Sequence, residues 1–346
     1  GYFLRGVAKF NLDDLLGADT DFSAAIVKNP VFTTAYIYRA LTRTRMGNYD
    51  DALQDFREAI DLRPDLPDAY YSRGYTRLQN KQYEEAIEDF DKFIFQENKV
   101  ADAYIGRGTA YLYLKDTVRA LENFDQAIRT NRENPNGYYQ RGTLLLQKEE
   151  YARAEADFDM SIRCDSAFLP PYFNRAVVYS NTNRPMQALA DFDRVLQLDS
   201  TNSFTYFNRA ILRTQIGDYN RALDDFDRVA LYSPGNVQVY YLRAMLKTRL
   251  GDLEGAERDY TRAIELYPDF ANAYLNRSAL RYALHNPKAA KRDEEIAQRK
   301  IAEYKSHLKD STYSIYADTT QRMDKLLAFD NQFTNNYFDR ISEQPS

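Results

Sequence analysis

A chain of 346 residues with 44% hydrophobic side chains is long enough for two or three ordinary domains and too apolar to remain disordered. Its net charge of −5 provides no attraction toward phosphate backbones or anionic membranes, which argues against a nucleic-acid or lipid-surface protein. One cysteine, Cys164, excludes an intrachain disulfide framework, and no run of 18 apolar residues is present to span a membrane.

The chain opens Gly1-Tyr2-Phe3, with no initiator Met, basic segment or apolar stretch. Gly1 reads as a cloning remnant with material upstream removed, and a lost signal peptide stays open. From Tyr2 onward the sequence repeats itself. The segment AYYSRGYTRLQNKQYEEAIEDFDKFI from Ala69 aligns with AYIYRALTRTRMGNYDDALQDFREAI, 34 residues earlier, and with AYIGRGTAYLYLKDTVRALENFDQAI, 34 residues later. An arginine recurs at this step nine times, from Arg5 and Arg39 to Arg243 and Arg277, without insertion or deletion. A Gly, Ala or Ser follows each arginine, an alanine comes twelve residues later (Ala52, Ala86, Ala120), and an aromatic ring four beyond that (Phe56, Phe90, Phe124). Such a fixed period means that one supersecondary unit is being stacked.

Each unit is predicted to hold a first helix of about thirteen residues, a short turn, and a second helix of similar length. Gly47-Asn48-Tyr49, Gly217-Asp218-Tyr219 and Gly251-Asp252-Leu253 supply stop-and-start signals in the turn, and Pro30, Pro64, Pro234 and Pro268 close units. The small residues let the two backbones approach, the rings fill the space beside them, and stacking the next pair covers the apolar face a lone pair leaves bare. The spacing and columns resemble the tetratricopeptide repeat over residues 2–290, as eight complete or near-complete units and a degenerate ninth. Tyr36, Ala40, Ala52, Phe56 and Pro64 fill positions 4, 8, 20, 24 and 32 of that family's unit, while arginine at position 7 and Glu294 at position 24 of the ninth unit depart from it. Helices are expected over positions 2–14 and 17–31. The fold class is therefore all-α, a right-handed superhelical solenoid of antiparallel helix pairs.

An acidic column marches with the arginines at position 23: Asp21, Asp55, Asp89, then Asn123, and on to Asp293. At 100° per residue both columns edge into the seam between the two helices of a unit. A track for phosphate groups is one reading. An internal Arg–Asp ladder is the expected one, because a partly buried charge needs a partner and every unit but the fourth supplies a carboxylate. Whether that partner belongs to the same unit or the preceding one stays open, and Arg107, opposite Asn123, is expected to make a weaker or rerouted contact.

The resemblance implies that the first helices line a concave face through positions 2, 5, 6, 9, 12 and 13. Position 5 is apolar in every unit and includes Tyr139, Phe173, Phe207, Tyr241 and Leu275; position 6 carries Asn174, Asn208 and Asn276. These eight residues are the candidate peptide-binding set, with the asparagines holding a peptide backbone as in other repeats of this kind. The alternatives are neighbour packing for position 5 and a solvated surface for position 6. The family's carboxylate clamp is not expected, since Phe3, Val7, Tyr38 and Asp68 stand at its positions.

No catalytic or metal constellation is predicted. Cys164 takes a position held by Leu62, Leu198 and Leu266 in sister units and is expected in the core; His285 falls in a turn and His307 near the C-terminus. After Ala290 the step fades: residues 291–309 read as a charged capping helix, and 310–346 as a polar extension with one amphipathic stretch around Met323, Leu326, Leu327 and Phe333, either docked on the array or ordered by a partner. The expected role is a scaffold or adaptor, without catalysis, cofactor or metal, that binds a peptide segment or partner subunit. The alternative is an oligomerisation module whose groove is filled by its own tail or another copy. Partner identity, oligomeric state and compartment stay open.

Overall fold

In the computed structural model, which describes residues 1–306, the 34-residue step becomes eighteen α-helices packed in consecutive pairs. The second pair is typical: α3 spans Thr33–Arg45 and α4 spans Tyr49–Leu62. The others follow in order: α1 Tyr2–Asn11, α2 Leu15–Lys28, α5 Pro67–Gln79, α6 Tyr83–Gln96, α7 Ala101–Tyr113, α8 Thr117–Thr130, α9 Pro135–Gln147 and α10 Tyr151–Cys164. A second compact unit begins at Leu169, with α11 Leu169–Asn181, α12 Pro185–Leu198, α13 Ser203–Gln215, α14 Tyr219–Tyr232, α15 Val237–Leu250, α16 Leu253–Leu266, α17 Ala271–Ala283 and α18 Pro287–Ser306. The first compact unit is Gly1–Phe168.

First helices thus run over positions 1–13 rather than 2–14, apart from α1, which begins at position 4, and α15, which ends at position 14; second helices end at position 30, except in α18. The stop is backbone chemistry. Position 15 adopts left-handed φ in all nine pairs, at Gly47, Gly217 and Gly251 but also at Asp13, Lys81, Lys115, Glu149, Asn183 and His285. The following N–H then reaches back to the carbonyl of position 11, as from Asp116 to Tyr111 at 2.9 Å, and closes the helix end. Asp14, Asp116 and Asp252 cap the next helix through their side chains, the last accepting from the Gly255 N–H at 2.9 Å.

Between the two helices of each pair the alanine of position 20 is fully enclosed, and the ring of position 24 lies buried against it from Phe22 to Tyr260. Gly106 shows how tight the neighbouring pair sits: a Cβ there would stand 2.5 Å from the Phe90 ring. Cys164 is only partly buried, with its Sγ 3.5 Å from the Arg132 carbonyl, which corrects its expected place in the core. Position 30 is the last residue of the second helix, where Leu62 is exposed. Helix α18 runs unbroken from Pro287, so residues 291–306 are the second helix of the ninth pair. Residues 307–309 of the expected capping segment, the extension 310–346 and His307 lie outside the described residues.

Candidate functional site

The most regular polar feature of the chain is spent internally. Every position-7 arginine but Arg107 meets position 23 of its own pair through both Nε and Nη2: Arg73 to Asp89 at 2.9 and 2.7 Å, Arg209 to Asp225 at 2.9 and 2.6 Å, Arg277 to Asp293 at 2.8 Å for both. The partner that the sequence left open is therefore the same unit. The third nitrogen, Nη1, reaches position 25 of the preceding pair: Arg39 to Ser23 Oγ at 3.0 Å, Arg141 to Asp125 at 2.6 Å, Arg243 to Asp227 at 2.8 Å and Arg277 to Thr261 Oγ1 at 2.9 Å. The same guanidinium lies over the position-4 tyrosine of its own helix, as Arg39 over Tyr36 and Arg243 over Tyr240, at 5.6 and 5.4 Å. One side chain thus ties its own two helices together and, in these pairs, the preceding second helix as well.

The carboxylates often carry a second cation from position 11, as Asp89 does from Arg77 and Asp225 from Arg213, both at 2.7 Å. In the fourth pair this position is Tyr111, matching the loss of negative charge at Asn123. Arg107 donates Nε to Asn123 Oδ1 at 2.7 Å, a single bond where sister arginines make two, and its Nη1 meets Asp91 at position 25 of the preceding pair as Arg141 and Arg243 meet theirs; the contact across the pair is weakened rather than rerouted. Asp21, hydrogen-bonded by Arg5, is held well below the usual carboxylate range. Burial dominates at Asp225 and pushes its carboxyl upward despite two arginines, while the pairing with Asp225 raises Arg209 against its own burial. The columns offer no open track for a phosphate chain.

The eight candidate binding residues occupy five first helices. In the first compact unit, the Tyr139 ring of α9 packs edge-on against Phe168 with centroids 5.4 Å apart. In the second, Phe173 of α11 stacks on Phe204 at 5.0 Å, and Phe207 of α13 joins the core around Phe226 and Tyr241. Tyr139, Phe173 and Phe207 are 3% exposed or less, and Asn174 and Asn208 are fully enclosed. Asn208 Nδ2 donates to the Phe204 carbonyl one turn back at 2.8 Å. These five side chains stand inside the packing, where the expected picture had them as pockets and ladder rungs on an open face.

Farther along, Asn276 of α17 donates to the Tyr241 hydroxyl of α15 at 3.0 Å, so two candidates are brought into contact. Burial pushes the Tyr241 phenol upward, keeping it a neutral acceptor. Leu275 and Asn276 are only half-buried and offer surface to a ligand. Sequence reasoning missed a neighbouring cleft of about 420 Å³ beside α13, α14 and α15, whose lining includes Ile211, Phe226, Leu242, Met245 and Arg249. Its signal was the apolar Leu242, which interrupts the run of Asn174, Asn208 and Asn276 at the same position.

Among the described residues, no group of three or more His, Cys, Asp and Glu is placed to hold a metal ion. Nor is any helix among them long and apolar enough to cross a membrane.

Three segments match family models described as TPR repeat or tetratricopeptide repeat: residues 40–81, 105–167 and 237–270. No curated protein matches the chain in sequence. Among solved structures, the chain is similar to the C-terminal part of a TPR repeat-containing protein from Cytophaga hutchinsonii (17% identity, 68% of this chain and 96% of that one, TM-score 0.54). It is likewise similar to pilF of Pseudomonas aeruginosa (21% identity, 58% and 92%, TM-score 0.53) and to a tetratricopeptide repeat protein from Parabacteroides merdae (18%, 77% and 98%, TM-score 0.52). At these identities the likeness is one of fold.

Proposed function

Since the chain belongs to the tetratricopeptide repeat family, a class of protein-interaction modules, we propose that it is a non-catalytic scaffold or adaptor that binds a peptide segment or partner subunit on the faces of its first helices. The family is typically non-catalytic, and its models identify no catalytic domain here. The observation that carries the reading is how the polar groups are spent. The periodic arginines and aspartates neutralise one another at the seams, and of the candidate apolar and amide side chains of the first helices Leu275 and Asn276 are left at the surface. Such a surface suits an extended peptide, whose main chain seeks donors and acceptors and whose side chains seek apolar recesses. Leu275 and Asn276 are the candidates nearest solvent, while Asn174 and Asn208, enclosed in the packing, stay in the proposal as the pair that would hold a peptide backbone.

The test captures partners on the immobilised full chain, identifies them by mass spectrometry and measures their affinity by calorimetry. The double variant Asn174→Ala, Asn208→Ala should weaken that affinity about tenfold or more, in line with two lost hydrogen bonds, with helix content retained. Full-strength binding by the folded double variant would remove the asparagines from the interface. Sedimentation of the full chain addresses oligomerisation: association that grows with concentration and is competed by the captured partner would favour the module that binds its own copies.

A further inference from the structure

The cleft beside α13, α14 and α15 combines two features: an apolar floor and an arginine that the charge ladder does not use. Ile211, Phe226, Leu242 and Leu246 form the floor, all enclosed. Met245, 45% exposed, stands at the rim with Gln215 and Arg249. The volume, about 420 Å³, lies within the range of small-ligand sites and exceeds a single aromatic side chain. Arg209, Arg213 and Arg243, on the same first helices, are each tied to a carboxylate. Arg249 forms no ion pair among the described residues. Its guanidinium instead lies 4.6 Å from the Tyr219 ring centroid, which holds it beside the opening with donors to spare.

We propose that this cleft is a side-chain pocket for a peptide segment in which a large apolar residue, preferably aromatic, is adjacent to a carboxylate. The apolar group fills the space over Ile211 and Leu246, and the carboxylate pairs with Arg249. This rests on the peptide-binding reading above and gives it a ligand chemistry and a place. Burying the side chain provides most of the affinity; the rim ion pair adds a modest, salt-sensitive preference. The Met245 thioether, unbranched and mobile, adapts the wall to the shape of the entering group.

The chain has five methionines, so methyl-13C-methionine labelling of the full-length protein gives a short spectrum, with Met245 assigned through Met245→Leu. The probe is the peptide acetyl-Gly-Phe-Glu-Gly-amide, with Gln-for-Glu, Lys-for-Glu and Ala-for-Phe versions beside it. The Glu probe should shift the Met245 methyl saturably while leaving Met186 in place. The Gln probe should bind about threefold more weakly, as expected for one exposed ion pair, and the Ala probe should give no shift. In Arg249→Glu the order of the Glu and Lys probes should invert, with the Met186 signal unchanged as the check on folding. Equal binding of Glu and Gln probes, no inversion, or no Met245 shift would overturn the assignment. Those results, obtained while the full chain still captures its partner, would leave the scaffold reading intact and place its site elsewhere.

Discussion

Asp89 accepts both Arg73 and Arg77 from a fully enclosed position, so removing its carboxylate strands two cations at a seam. Asp89→Ala should cost about 3–5 kcal/mol, the usual penalty for breaking a buried pair from one side. Asp89→Asn should cost less, because Asn123 already shows that an amide oxygen can accept the arginine Nε. Adding Arg77→Tyr to Asp89→Asn recreates the fourth pair, so that second change should cost less in the Asn background than alone; a double-mutant cycle in urea measures the difference. Acid acts on a related group. Hydrogen bonding from Arg5 lowers the folded Asp21 carboxyl below its ordinary 3.8, so its stabilisation is complete above about pH 4 and drains away as pH falls through the lower folded value. Asp21→Asn should therefore flatten the acid limb of the stability–pH curve, read from melting temperatures between pH 6 and pH 2.5.

The element with most to gain is the turn between paired helices. Every pair places position 15 in the left-handed region, but only three supply glycine there, so six side chains bear the steric cost of that conformation. Lys115, at φ 63°, carries an exposed side chain. Lys115→Gly should stabilise the chain by roughly 0.5–1 kcal/mol, the relief of strain exceeding the extra freedom glycine gives the unfolded state. A loss of stability would mean that the Lys115 side chain contributes more than its conformation costs. At the other side of the same type of turn, Asp252→Ala removes the side-chain oxygen that caps α16 and should cost about 1 kcal/mol. Both changes are readable as shifts in urea midpoint at constant slope.

Stacked pairs share stability with their neighbours rather than with the whole molecule. The arginine ladder adds a link per step in the pairs where Nη1 finds position 25, as Arg141 does at Asp125. Weakening one pair should therefore loosen it and those beside it first. In Asp89→Ala, hydrogen exchange should rise in α5, α6 and α7, while α15 to α17 keep their protection; uniform acceleration would show a single cooperative unit. Phe207→Ala makes the same point about function. The ring lies in the core with Phe226 and Tyr241, so truncation should cost about 3–5 kcal/mol and report on packing before it reports on binding.

The repeat, the helix pairs and the pairing of Arg with Asp were legible in the sequence because a one-dimensional array converts period directly into structure: residues 34 apart meet equivalent surroundings. Arithmetic at 100° per residue likewise brought both charged columns to one seam, and the missing carboxylate at Asn123 was enough to foresee that Arg107 holds position 23 by a weaker contact. Other features depended on distances that no period encodes. That Arg39 reaches back to Ser23 as well as across to Asp55 follows from how closely successive pairs approach. The left-handed turn at Lys81, Lys115 and Glu149 was invisible because these side chains do not prefer that conformation; the packing of helices on either side imposes it. Position 5 is apolar in every unit, which fits both an open binding face and a covered one. Only the tertiary structure decided that Phe173 and Phe207 are enclosed while Met245 and Arg249 stand at an opening, since burial is set by the atoms around a side chain and not by its own chemistry.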